Sequence, residues 1–199
     1  MSWQERLVEE AARFQHPAWG VSHCRRVYDL AVQLGDSSGA GASVDKDALF
    51  AAAYVHDLGA FAPYRREGVD HAERSVEVAA EILVAAGFGA PKVPLVQEIV
   101  RGHMYYAEPA ALPEAVYFHD ADVLDFMGAV GIARLLSIVG RDDWTPDLPA
   151  AIALIDRFRR ELPGRLHTEV ARRIGEERQR EMDAFVAALA AETHGLQVL

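Results

Sequence analysis

Apolar positions along the chain recur mostly every three or four residues, the spacing of a helix face. No stretch alternates with the β-branched and aromatic enrichment of a strand. The pattern predicts a first helix over residues 3–14, ending before Pro17, and a second over 21–34, stopping at Gly35. The Ser- and Gly-rich stretch 36–45 reads as a loop. Residues 47–58 form the next helix, with Leu49, Phe50, Ala51, Ala52, Ala53, Tyr54 and Val55 in a nearly unbroken apolar run. A helix apolar all round belongs in the middle of a domain, and Gly59 is placed to be its C-cap. Asp70 can cap a helix over 71–86, with Glu73 as capping-box partner and Gly87 as the stop. Pro91 and Pro94 open a helix over 93–104. Pro113 precedes a long one over 114–139, kinked near Gly128 or Gly131. Helices over 148–161 and 166–192 complete the chain. The expectation is an all-α fold, one globular domain over 1–199 with no internal repeat or linker.

Composition narrows what such a chain can do. A length of 199 residues suffices for one well-buried core, and 51% hydrophobic with 25% charged residues is ordinary for a globular protein. The net charge of −10 excludes general nucleic-acid binding, which needs many Lys and Arg to replace phosphate counterions. Small phosphorylated ligands remain open, because a bound dication dominates its local field. The one cysteine, Cys24, cannot form an internal disulfide, which fits a reducing compartment. No apolar run reaches membrane-spanning length, and the first residues lack a signal pattern, so no membrane association and a cytoplasmic location are expected.

Three segments carry the candidate chemistry. His56-Asp57 ends the most apolar helix, where a carboxylate loses hydration at a cost of several kcal/mol unless a partner or metal replaces it. About half a His-Asp pair is expected by chance, so the dipeptide itself says little and its burial carries the signal. His23 lies one turn into the second helix, with Arg26 and Val27 on its face. The stretch 118–125 holds His119, Asp120, Asp122 and Asp125. Asp120 and Asp122 stand about 200° apart on a helix and cannot both face one site. Asp122 and Asp125 share a face and read as supporting or surface carboxylates. Apolar neighbours such as Tyr117, Phe118 and Leu124 argue against a fully solvated acidic face. Histidine with aspartate supplies the donors that suit a divalent metal able to activate water.

The order His23, His56-Asp57, Asp120 resembles the HD-domain metal-dependent phosphohydrolase superfamily. His23-Cys24-Arg25-Arg26-Val27 is similar to its His-x-x-Arg-Val segment, and Ala53-Tyr54-Val55-His56-Asp57-Leu58-Gly59 to its signature helix end. Asp120-Ala121-Asp122-Val123-Leu124-Asp125, with the Gly128–Arg134 stretch, resembles a subgroup of small bacterial predicted phosphohydrolases. The resemblance spans about residues 16–140, leaving the helices of about 148–192 to pack on that core.

The resemblance implies an HD-type helical domain with a divalent metal (Mn, Fe, Co, Ni, Zn or Mg) held by His23, His56, Asp57 and Asp120. It also places His71 and His103 where some members carry ligands of a second metal. Hydrogen bonding to substrate phosphate or a metal-bound water is the equal alternative. Asp57 would orient or deprotonate the attacking water, and Arg26 would help neutralise phosphate, since a guanidinium binds two oxygens at once. The expected activity is hydrolysis of a phosphate ester or anhydride in a small molecule, a nucleotide being a reasonable substrate. The glutamate that nucleotidase-like members carry just after His-Asp is missing from Leu58-Gly59-Ala60-Phe61. Two rivals stay open: an HD-type di-iron oxygenase acting on a small polar substrate, and a non-catalytic nucleotide-binding module. The Arg-rich final segment reads as a solvated helical face or a homodimer surface.

Overall fold

The computed structural model describes residues 1–37 and 44–197, so most of the loop expected over 36–45 lies outside the described residues. Among those described there are nine α-helices and no strand. They are α1 (Trp3–Ala12), α2 (Val21–Ser37), α3 (Lys46–Val55), α4 (His71–Ala86), α5 (Val93–Arg101), α6 (Pro113–Asp125), α7 (Gly128–Ser137), α8 (Leu148–Glu161) and α9 (Glu169–Glu192). The all-α expectation holds. The chain forms two compact units, Met1–Asp122 and Val123–Leu199.

In the first unit α3 is the central element, as its unbroken apolar run implied, and it packs against α1, α2, α4 and α5. Ala48, Leu49, Ala51, Ala52, Ala53 and Val55 are fully buried. Asp45 caps α3 by accepting from Ala48 N at 3.1 Å. The helix closes at His56, which keeps a right-handed conformation, and the chain turns through a 3-10 segment, Leu58–Ala60. Gly59 is therefore not the expected C-cap. It lies in that 3-10 turn, pressed against α4, where a Cβ would strike the His71 carbonyl oxygen and come within 2.6 Å of Ser75 N. The Gly59 amide donates to Ser75 Oγ at 2.8 Å, closing the contact.

Helix α4 matches its expected bounds. Asp70 accepts from Ala72 N and Glu73 N, and Gly87 closes the helix at φ 84°. Other expected bounds change. Helix α2 runs through Gly35 because that residue packs against Val44 and Tyr117, where a bare Cα fits. Helix α5 ends at Arg101, three residues short, at Gly102. The long helix expected over 114–139 is two helices, not one kinked helix. Met127 is extended and Gly128 takes φ 68°, so α7 starts afresh.

In the second unit α7, α8 and α9 pack on one another. The ion pair of Arg134 and Asp125 (2.8 Å) is buried there, with the guanidinium 4.3 Å above the Phe126 ring. The final helix starts later than expected, after Thr168 caps Ala171 N. Among the described residues no helix is long and apolar enough to cross a membrane.

Candidate metal centre

Five of the seven residues singled out in the sequence meet at one place in the first unit. His23 comes from α2, His56 and Asp57 from the end of α3, His71 from the first position of α4, and His103 from just beyond α5. His23, His56 and His103 are buried, while the Asp57 side chain retains 16% exposure and that of His71 26%.

The two oxygens of Asp57 serve different partners. Oδ2 lies 3.5 Å from His23 Nε2 and 3.3 Å from His56 Nε2. Oδ1 lies 3.7 Å from both His71 Nε2 and His103 Nε2. Two donor groups result, His23–His56–Asp57 and Asp57–His71–His103, with one carboxylate common to both. Donors 2.0–2.2 Å from one ion, at angles between octahedral and tetrahedral, stand about 3.0–3.5 Å apart, close to the spacings seen here.

Ring orientation argues for a cation as well. His56 Nδ1 faces the Ala53 carbonyl at 2.9 Å and His103 Nδ1 faces the Val100 carbonyl at 2.7 Å. A carbonyl only accepts, so each Nδ1 carries the hydrogen, and in the neutral ring Nε2 then presents its lone pair inward. His56 Nε2 stands 3.1 Å from His23 Nε2. His103 Nε2 is buried with no hydrogen-bond partner among the described residues. Lone pairs and carboxylate oxygens aimed at one spot repel unless a proton or cation sits between them. The donor set of imidazole nitrogen and hard oxygen thus fits a divalent metal.

The titration tendencies agree. Burial pushes the Asp57 carboxyl up, but His56, His103 and His23 outweigh it and hold the group well below the usual carboxylate range. Burial lowers the His71 imidazole, with His103 adding to the effect against the pull of Asp57. Both directions favour the metal-binding forms, anionic carboxylate and neutral ring.

The remaining carboxylate differs from expectation. Asp122 Oδ1 lies 3.4 Å from His23 Nε2, is buried, and has no hydrogen-bond partner among the described residues. Asp120 is in neither donor group; it is fully buried, with its neighbour His119 Nδ1 at 3.7 Å. Helix phase is the physical reason. About 200° separates the two aspartates on α6, so they point to different sides of the helix, and Asp122 is the one seen within 3.4 Å of His23. Phe118 supplies the signal that fixes the phase: its ring packs on His56 at 5.4 Å, and Asp122 follows it by one turn. Arg26 is half-buried on α2, three residues beyond His23. The sequence reading also missed Ser75, whose hydroxyl accepts from Gly59 N and docks α4 on the Asp57 turn.

The HD domain family matches residues 20–127, over half of the chain, and takes in all these residues. The chain belongs to the HD domain family. Solved HD-type structures share its fold along nearly the whole chain. Bacillus subtilis YpgQ in complex with ADP is 26% identical with a TM-score of 0.69, over 98% of this chain and 100% of that one. A predicted HD superfamily hydrolase from an uncultured Thermotogales bacterium is 28% identical with a TM-score of 0.63, over 96% and 90%. An HD-superfamily hydrolase from Bacillus thuringiensis, at 20% identity and a TM-score of 0.63 over 96% and 98%, shows the fold alone. No curated protein matches the sequence. HD-family membership and the two donor groups support a hydrolase that uses a divalent metal.

Proposed function

We propose that this HD domain hydrolyses a phosphate ester or anhydride in a small molecule, with a nucleotide as substrate, using two adjacent divalent cations. The observation that carries the reading is the division of the Asp57 carboxylate between two sets of histidines. ADP bound to YpgQ supports the choice of a nucleotide.

In this reading His23, His56, Asp57 and Asp122 hold one ion, with Asp122 taking the part expected of Asp120. Asp57, His71 and His103 hold the other. A bound pair of cations would lower the pKa of water and neutralise charge on the transferring phosphoryl group. The protein's own contribution is placement. The backbone carbonyls of Ala53 and Val100 fix the His56 and His103 rings, burial strengthens every charge interaction in the site, and Asp57 orients the attacking water. Arg26, one turn from His23, binds phosphate oxygens at the rim.

The test is phosphate release from a panel of nucleotides and sugar phosphates, with manganese or magnesium added to metal-stripped protein. Wild type should release phosphate or pyrophosphate from at least one compound. Asp57→Asn should lose at least about 100-fold, since even partners of metal ligands cost 10–100-fold. Asp122→Asn should fall as far as Asp57→Asn, and Asp120→Asn by much less. Metal-loaded wild type that releases nothing from any phosphorylated compound sinks the reading. Iron-dependent oxygen consumption in its place would put the oxygenase in its stead.

A further inference from the structure

Asp70 and Tyr106 lie outside both donor groups, yet one hydrogen bond between them joins the two segments that carry His71 and His103. Asp70 uses its two carboxylate oxygens separately. Oδ1 caps α4, accepting from Ala72 N at 2.8 Å and Glu73 N at 3.4 Å. Oδ2 accepts from the Tyr106 hydroxyl at 2.8 Å, across 36 residues of sequence. His71 is the residue directly after that cap, and Tyr106 follows His103 by three residues.

The Tyr106 segment is well defined. Gly102 ends α5 where a Cβ would come within 2.6 Å of the Glu108 carbonyl. Met104 is buried, and the Ala107 amide closes a turn onto its carbonyl at 2.8 Å. The turn holds Tyr106 out at the rim, half-exposed, where water would satisfy its hydroxyl equally well. Burial therefore does not require the bond. The bond joins the α4 N-terminus to the segment after α5. The His71 and His103 rings stand 5.8 Å apart, edge to face, and Asp70 Oδ2 also lies 4.0 Å from His71 Nδ1.

We propose that Asp70 and Tyr106 are positioning residues for the Asp57–His71–His103 group, their hydrogen bond setting the spacing of the two histidines and with it that group's affinity for a divalent cation. The proposal rests on the two-cation reading of the site given above. It adds that the second cation's affinity is adjusted from the rim, by residues that touch neither the ion nor the substrate. The other group shares Asp57 but takes its remaining donors from α2, the end of α3 and α6, which this bond does not join.

The experiment is calorimetric titration of the metal-stripped full chain with manganese chloride, for wild type, Tyr106→Phe and Asp70→Asn. Asparagine caps a helix about as well as aspartate, so the second variant keeps α4. Wild type should show two binding events. Both variants should weaken one event by about 10-fold, in the range for partners of metal ligands, and leave the other unchanged. Melting temperatures in chelator should stay within about 2 °C of wild type, a shift of under one kcal/mol for a chain this size. Isotherms that superimpose on wild type overturn the proposal. So does an equal weakening of both events, or a melting temperature that falls in step with affinity, since either marks a general structural effect. A wild type that binds a single ion overturns this proposal and leaves hydrolysis at the first group standing. Two ions bound and adjusted as expected, with no phosphorylated compound hydrolysed, overturns the phosphohydrolase reading instead.

Discussion

Gly59 shows how much of the centre depends on one atom that is missing. The 3-10 turn after Asp57 touches the first turn of α4 so closely that a methyl group would meet the His71 carbonyl and the Ser75 amide, both backbone. Neither can rotate aside, unlike a flexible side chain. Gly59→Ala should therefore cost about 3 kcal/mol or more, beyond ordinary overpacking, and should weaken manganese binding by moving His71 away from Asp57. Urea unfolding together with metal titration checks both, and a variant of near wild-type stability with intact binding refutes the packing argument. Residue identity was largely legible in the sequence, since His23, His56, Asp57, His71 and His103 all converge. The choice between Asp120 and Asp122 was not. Both are buried on α6, and the phase of the helix is set by where Phe118 packs, a tertiary fact that local pattern does not contain.

At the scale of elements, α3 delivers two donors to the site and depends on its cap. Asp45 accepts from Ala48 N and from Lys92 Nζ, at 3.1 and 3.0 Å through Oδ1. Burial would raise its carboxyl, but the Lys92 hydrogen bond and the capped amide lower it below 3.8. A carboxylate lowered on folding stabilises above its unfolded pKa, and that stability is lost as pH falls through the folded value. Asp45→Asn keeps a capping oxygen and loses the charge. It should be less stable than wild type by about 0.5 kcal/mol at pH 7, as partly exposed pairs are. The difference should be unchanged at pH 5 and should shrink as pH falls below 3.8. Urea midpoints at several pH values measure it, and a difference that stays constant into acid excludes the charge as its source. Helix bounds from sequence were good where the stop is chemical, as at Asp70 and Gly87. They were poor where packing decides. Gly35 continues α2 because Val44 and Tyr117 crowd it, and the Met127–Gly128 backbone splits what periodicity joined.

For the molecule as a whole, the converging lone pairs at Asp57 place function and folding in opposition. The chain has folded three imidazoles and the Asp122 carboxylate into buried positions around the partly exposed Asp57. His103 Nε2 alone leaves a buried acceptor unmatched, a cost of about 1–3 kcal/mol. Its Nδ1 bond is less critical, because the Val100 carbonyl also accepts from the His103 amide. His103→Leu should then melt about 2–4 °C above wild type in chelator. With manganese the order should reverse, because saturation at about 100 times the dissociation constant adds roughly 2.7 kcal/mol to the protein that binds it. Melting curves under both conditions decide it, and a variant that is less stable than wild type in chelator removes the conflict. The selection that preserves this site would then act against the melting temperature of the metal-free chain, and cellular cation supply would govern how much folded protein survives.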